Sequence, residues 1–269
     1  MKAVARLRRA LRNSRHSPEL VVSERGGVRA LHIGGEAVQS AMRLDDPYAL
    51  ALDYTRCMMA FLLFHPEPRE ALLIGLGGGS LAKFLHRALR SLRMRIVEID
   101  PRVIDAARAH FHLPPDDARL AVELGCGTEA LAPECCDLLV VDGFVDEAVP
   151  ASLASPAFFD AAWMSLAGPG VLVMNLMDSD PQFDQTLQSL ERAFGGAVLC
   201  MPALRDPNVI VLALKGLPGR IAWQALRERA AALGGRFDLP FLRYVDALRK
   251  MNPHTAEELI AAPAADASR

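Results

Sequence analysis

Two carboxylates and a glycine-rich turn hold most of the chemistry this chain could perform. The run Ala71-Leu72-Leu73-Ile74-Gly75-Leu76-Gly77-Gly78-Gly79-Ser80 reads as an apolar strand that enters a turn and then a helix. Open parallel sheets bind ligands beyond the carboxyl ends of their strands, and glycine lets the backbone approach a ligand closely. Gly75, Gly77, Gly78 and Gly79 are therefore candidate nucleoside contacts. The next apolar run ends Val97-Glu98-Ile99-Asp100, with Glu98 19 residues after Gly79. A spacing of about 20 suits a carboxylate that accepts hydrogen bonds from ribose hydroxyls. The other reading of Glu98 is a carboxylate that caps or solvates a strand end. Asp100-Pro101 has the form of a helix cap, with Pro in the first turn. Asp142 ends a further run, Leu138-Leu139-Val140-Val141-Asp142, and Asp146 and Glu147 follow it. A carboxylate carried to a pocket mouth by an apolar strand can orient an ammonium, accept its proton and stabilise nearby positive charge. Asp142 is thus the candidate base; its rival role is to satisfy loop N–H groups.

The glycine pattern bears on the ligand. A dinucleotide turn needs G-x-G-x-x-G, and counting from Gly75 the third glycine position falls on Ser80. An adenosyl sulfonium carries no pyrophosphate and suits an acid-rimmed pocket. The adenosylmethionine class therefore ranks above the nicotinamide class.

The elements around these residues predict an α/β fold, a doubly wound, mostly parallel sheet preceded by a small antiparallel β-domain. From Glu19 to Met42, short strands are broken by Gly26-Gly27 and Gly34-Gly35. Asp45-Asp46-Pro47 offers a helix start, and apolar residues at helical spacing run from Tyr48 to Phe64. Strands and amphipathic helices then alternate from Ala71 to Leu214, the pattern of a parallel sheet covered on both faces. Two late strands, Ala197 to Met201 and Val209 to Leu214, are joined too closely for a crossover helix and predict an antiparallel edge. Helices follow near Arg220 to Leu233 and Pro240 to Met251. The expected division is a basic tail (1–18), the β-domain (19–48), the nucleoside-binding domain (49–216), C-terminal helices (217–260) and a disordered tail (261–269).

Composition narrows the class. The 269 residues hold 30 Lys+Arg against 32 Asp+Glu, with 51% hydrophobic residues, which excludes a disordered chain. No apolar run approaches the roughly 20 residues of a bilayer span, so a soluble protein without a membrane partner is expected. The net charge of −2 gives no basic surface for nucleic acid. The exception is the segment with Lys2, Arg6, Arg8, Arg9, Arg12, Arg15 and His16, read as a solvated tail, with an anion-binding or presequence role as the alternative. No apolar leader core precedes a cleavage site, so a cytoplasmic location is expected. Cys57, Cys126, Cys135, Cys136 and Cys200 form no C-x-x-C pair, and neither a metal site nor a disulfide framework is expected.

Taken in order from Glu19 to Leu214, these features resemble the spermidine synthase (polyamine aminopropyltransferase) family, in a bacterial spermidine-synthase-like branch. The resemblance rests on Val38-Gln39-Ser40, His65-Pro66-Glu67-Pro68, the Ile74 to Ser80 turn, Val97-Glu98-Ile99-Asp100, Gly125-Cys126-Gly127, Val141-Asp142, Phe158-Phe159 and Gly168-Pro169-Gly170-Val171-Leu172-Val173. It implies a class I adenosylmethionine methyltransferase-like Rossmann fold and a homodimer. It also implies transfer of an aminopropyl group from decarboxylated S-adenosylmethionine to a small amine. Asp142 would be the base, Glu98 would hold the ribose, and Gln39, Cys126 and Gly127 would lie near the nucleoside. Tyr54 and Arg56 stand in the family's Tyr-His-Glu segment, which contacts the polyamine. Five family positions differ. Gly78 replaces the aspartate that holds the aminopropyl ammonium, and Thr55-Arg56 replaces His-Glu. Val145 replaces the second acid of D-S-S-D, for which Asp146 could compensate, and Cys126 replaces the acid of G-D-G. Losing acids and gaining Arg56 weakens the case for a cationic amine, because an uncompensated buried charge costs several kcal/mol. Two other functions stay open. One is a methyltransferase using intact S-adenosylmethionine, whose carboxylate Arg56 could pair unless Arg56 lies on a solvated helix face. The other is a non-catalytic nucleoside-binding or scaffolding protein.

Overall fold

The computed structural model describes residues 18–143 and 149–262. The basic segment, Val145, Asp146 and Glu147, and the chain beyond Ala262 lie outside the described residues.

Strands β1 (Leu20–Arg25), β2 (Val28–Ile33) and β3 (Val38–Arg43) form a small antiparallel sheet. The larger sheet has seven strands in the order β6-β5-β4-β7-β8-β10-β9. These are β4 (Glu70–Ile74), β5 (Arg93–Glu98), β6 (Leu120–Leu124), β7 (Cys136–Val141), β8 (Leu166–Met177), β9 (Val198–Pro202) and β10 (Asn208–Lys215). From β6 to β8 the neighbours run parallel, whereas β10 runs antiparallel to both β8 and β9. The fold is thus a mostly parallel, methyltransferase-like α/β sheet, with the antiparallel edge that the short β9–β10 link requires.

Its strands read as continuous apolar runs because both faces are covered. Leu73, Val140, Val173 and Leu212 enter one core, and their neighbours Leu72, Leu139, Leu172 and Val211 enter the other. Helices α2 (Ser80–Ala88), α3 (Pro101–His110), α4 (Pro156–Ser165) and α5 (Phe183–Ala193) lie between successive strands, after an earlier short helix α1 (Asp53–Met58). Asp100 caps α3 as expected, accepting the Arg102 N–H at 2.9 Å with Pro101 in the first turn. Helices α6 (Trp223–Phe237) and α7 (Phe241–Met251) pack against each other, and α7 also lies on β9.

Four expectations need correction. The single helix from Tyr48 to Phe64 is α1 followed by a tighter 3-10 turn at Met59–Leu63. Residues 57–64 are all buried, so packing on every side, rather than one amphipathic face, sets the local pitch. Asp45 and Asp46 start no helix; they pair instead with Arg43 and Arg87. Arg220–Ala222 is a strand, β11, paired with β12 (Glu258–Ile260), and the helix begins at Trp223. Ala261 and Ala262 are also held, both donating backbone N–H groups to the Gly219 carbonyl.

One buried cation stands out. Lys83 on α2 is 1% exposed, and its ammonium donates to the Phe111 carbonyl at 2.6 Å. Desolvation pulls its pKa down to about 8 from 10.5. The native state therefore releases this proton before the unfolded chain does, so Lys83 adds stability as pH rises between those two values. Wild type minus Lys83→Met should gain a few kcal/mol of unfolding free energy across that interval in denaturant titrations. A flat difference would contradict it.

Candidate active site

Strand ends converge at Gly75. Its N–H donates to Val97 at the end of β5 at 3.0 Å, and the Asp142 N–H donates to Ile74 at the end of β4 at 2.9 Å. A Cβ on Gly75 would sit 2.3 Å from the Asp142 carbonyl oxygen, and the residue has φ +99°. Only glycine allows this approach of the turn to the Asp142 backbone.

Register then supplies the neighbours of Asp142. Val141 of β7 pairs with Met174 of β8, so one residue further on Asp142 comes abreast of Asn175. The Asn175 Nδ2 donates to Asp142 Oδ1 at 3.0 Å, and the Tyr54 hydroxyl, from α1, donates to Oδ2 at 3.3 Å. Burial raises the Asp142 pKa, while the two donors hold it down. Burial, followed by the Asp142 charge, pushes the Tyr54 phenol well above its ordinary value, so Tyr54 remains a donor. Asn175 is the residue that sequence reasoning missed. Its signal was present: an asparagine inside a buried apolar strand must find a partner.

Glu98 grips the turn from the other side. Its Oε2 accepts the Leu76 N–H at 2.9 Å, and its Oε1 accepts the N–H groups of Ile99 and Asp100 at 2.8 and 2.9 Å. The strand-end reading of Glu98 is the one the structure displays: it satisfies backbone donors there, and these occupy three of the roughly four acceptor positions of a carboxylate. Its pKa is raised because desolvation outweighs these bonds.

The remaining candidates divide. The Gln39 carbonyl lies 4.0 Å from the Cβ position of Gly77, which puts β3 against the turn. The half-buried Cys126 precedes the 3-10 turn Gly127–Glu129, its thiol 3.1 Å from the Thr128 hydroxyl. Gly127 packs on Ile74, whose Cγ2 would be 2.3 Å from a Cβ there. Arg56 is not brought to Asp142. Two residues along a helix is a turn of about 200° from Tyr54, and the donors that reach Asp142 are Tyr54 and Asn175. Asp146 lies outside the described residues. Among the described residues, no group of three or more His, Cys, Asp or Glu is placed to hold a metal ion.

No protein-family model matches the chain. It is 38% identical over 245 residues to the polyamine aminopropyltransferase of Chromobacterium violaceum, covering 90% of this chain and 94% of that one. It is 35% identical over 243 residues to the polyamine aminopropyltransferase of Neisseria meningitidis serogroup B, covering 89% and 92%. The chain belongs to the polyamine aminopropyltransferase family. A solved spermidine synthase in complex with the transition-state analogue AdoDATO shares the fold, with a TM-score of 0.61, 18% identity and 84% of each chain covered.

Packing accounts for the glycine at 78. A Cβ there would lie 2.8 Å from the Phe111 ring and 2.9 Å from the Ser40 hydroxyl. Phe111 is fully buried, and Ser40 lies 3.3 Å from the Ser80 hydroxyl. The space into which a side chain at 78 would grow is occupied by the protein. Gly78→Asp should therefore lose about 1–3 kcal/mol through overpacking, seen as a lowered thermal midpoint. An unchanged midpoint would show that Phe111 yields freely.

Proposed function

We propose that the chain transfers an aminopropyl group from decarboxylated S-adenosylmethionine to a small amine, with Asp142 as general base. The observation that carries this reading is a half-buried carboxylate, held by Tyr54 and Asn175 at the convergence of strand ends, in a chain of this family. The amine nitrogen attacks the carbon beside the sulfonium, the carbon–sulfur bond breaks, and methylthioadenosine leaves with the bonding pair. The proton lost by the amine passes to Asp142. Glu98 would use its remaining acceptor capacity on the ribose, beside Gly75, Gly77, Gly78, Gly79, Gln39, Cys126 and Gly127. Arg56 would take no part, and Asp146 would add a carboxylate near the amine. The reading carries with it a cytoplasmic homodimer, as the family resemblance implies. A methyltransferase or a binding protein without turnover fits less well, because the relatives that span most of the chain are named for aminopropyl transfer.

Purified protein given decarboxylated S-adenosylmethionine and a panel of diamines and polyamines should release methylthioadenosine. Asp142→Asn should lower the rate by about 10²–10⁴-fold, the usual contribution of a general base, while nucleoside binding by calorimetry persists. Because Asp142 must be charged to accept a proton, activity should fall on the acid side through a pKa above 3.8. Absence of release with every amine, or tighter binding of intact S-adenosylmethionine, would overturn the proposal.

A further inference from the structure

Asp142 is not held by its two donors alone, because one of them is itself held. Asn208, the first residue of β10, is buried, and its Nδ2 donates to the Asn175 Oδ1 at 2.9 Å. In the antiparallel register Asn175 faces Ile210 and Asn208 faces Met177. The two asparagines are therefore diagonal neighbours on one face of the sheet. An ionised carboxylate only accepts, so Asn175 must turn its NH₂ towards Asp142 and its carbonyl away from it. That carbonyl meets a donor only because Asn208 presents one.

We propose that Asn208 is a positioning residue that locks the Asn175 amide in the orientation that favours the charged form of Asp142. The inference rests on reading Asp142 as the base, but its test does not require turnover. Without Asn208, the Asn175 carbonyl loses its buried donor, nothing then fixes the amide with its NH₂ towards Asp142, and the rotamer that turns the oxygen to Asp142 gains population. An oxygen facing the carboxylate is satisfied only when Asp142 carries a proton. The proton affinity of Asp142 therefore rises. Among the described residues, the titratable side chain that meets Asp142 is Tyr54; Asp206 acts on Tyr54 from behind, and Glu98 is engaged with Leu76. The β9–β10 loop also braces the second donor. The Asp206 carboxylate accepts the Tyr54 N–H at 3.0 Å, and the Asp53 carboxylate of α1 accepts the Arg205 N–H at 2.8 Å.

The Asp142 pKa can be read from stability. A raised native pKa means that the folded state binds the extra proton, so wild type minus Asp142→Asn loses stability as pH rises and levels off above that pKa. The same difference measured with Asn208→Leu should level off about one pH unit or more higher, a tenfold gain in proton affinity, and so should Asn208→Val. With Asn175→Leu already in place, adding Asn208→Leu should move the levelling point no further, because its intermediary is gone. If methylthioadenosine release is detected, the acid limb of kcat/KM should follow the same order. No displacement in either folded Asn208 variant, or an equal displacement with and without Asn175, would overturn the proposal. Absence of turnover with these displacements intact would overturn the aminopropyl reading alone.

Discussion

A carboxylate set between a phenol and an amide governs the upper edge of this sheet. Burial favours the neutral acid, and the donors Tyr54 and Asn175 favour the anion. The two effects oppose each other at one side chain, so changes in the surrounding bonds shift its proton affinity. Each donor arrives from a different part of the chain: Tyr54 from the short helix after the N-terminal sheet, Asn175 from the strand beside Asp142. The site therefore depends on tertiary packing for its proton affinity, even though Asp142 follows its own strand directly.

The glycine turn answers to the same convergence. Gly75 is held between the backbones of β5 and Asp142, Leu76 is tied to Glu98, and Gly78 is closed over by Phe111 and Ser40. The turn is gripped by carboxylate and backbone on its outer sides and by an aromatic ring beneath. Any side chain at 78 would meet that ring. A buried ammonium beside this turn would need counter-carboxylates from elsewhere in the chain, since a buried cation without a counter-charge costs several kcal/mol.

Much of the architecture was legible from periodicity. Strands buried on both faces read as unbroken apolar runs, and the short link before Val209 excluded a parallel crossover. The limits of periodicity are equally clear at residues 57–64. There, all positions are buried, and an apolar run offers no face from which to choose between one long helix and a helix ended by a 3-10 turn. The strand Arg220–Ala222 was illegible for a related reason. It exists because residues 258–260 pair with it, and no local pattern announces a partner so far along the chain.

Residue type and spacing sufficed to place Gly75, Glu98 and Asp142 at one edge of the sheet, because the end of a strand is a local property and a parallel sheet assembles such ends together. Distances across the sheet were beyond reach of any pattern along it. Arg56, near Tyr54 in sequence, is not among the groups bonded to Asp142, whereas Asn208, 33 residues from Asn175, becomes its hydrogen-bond partner. Chain order fixes which groups stand on each strand; register and helix rotation, set by how the cores pack, fix which of them touch.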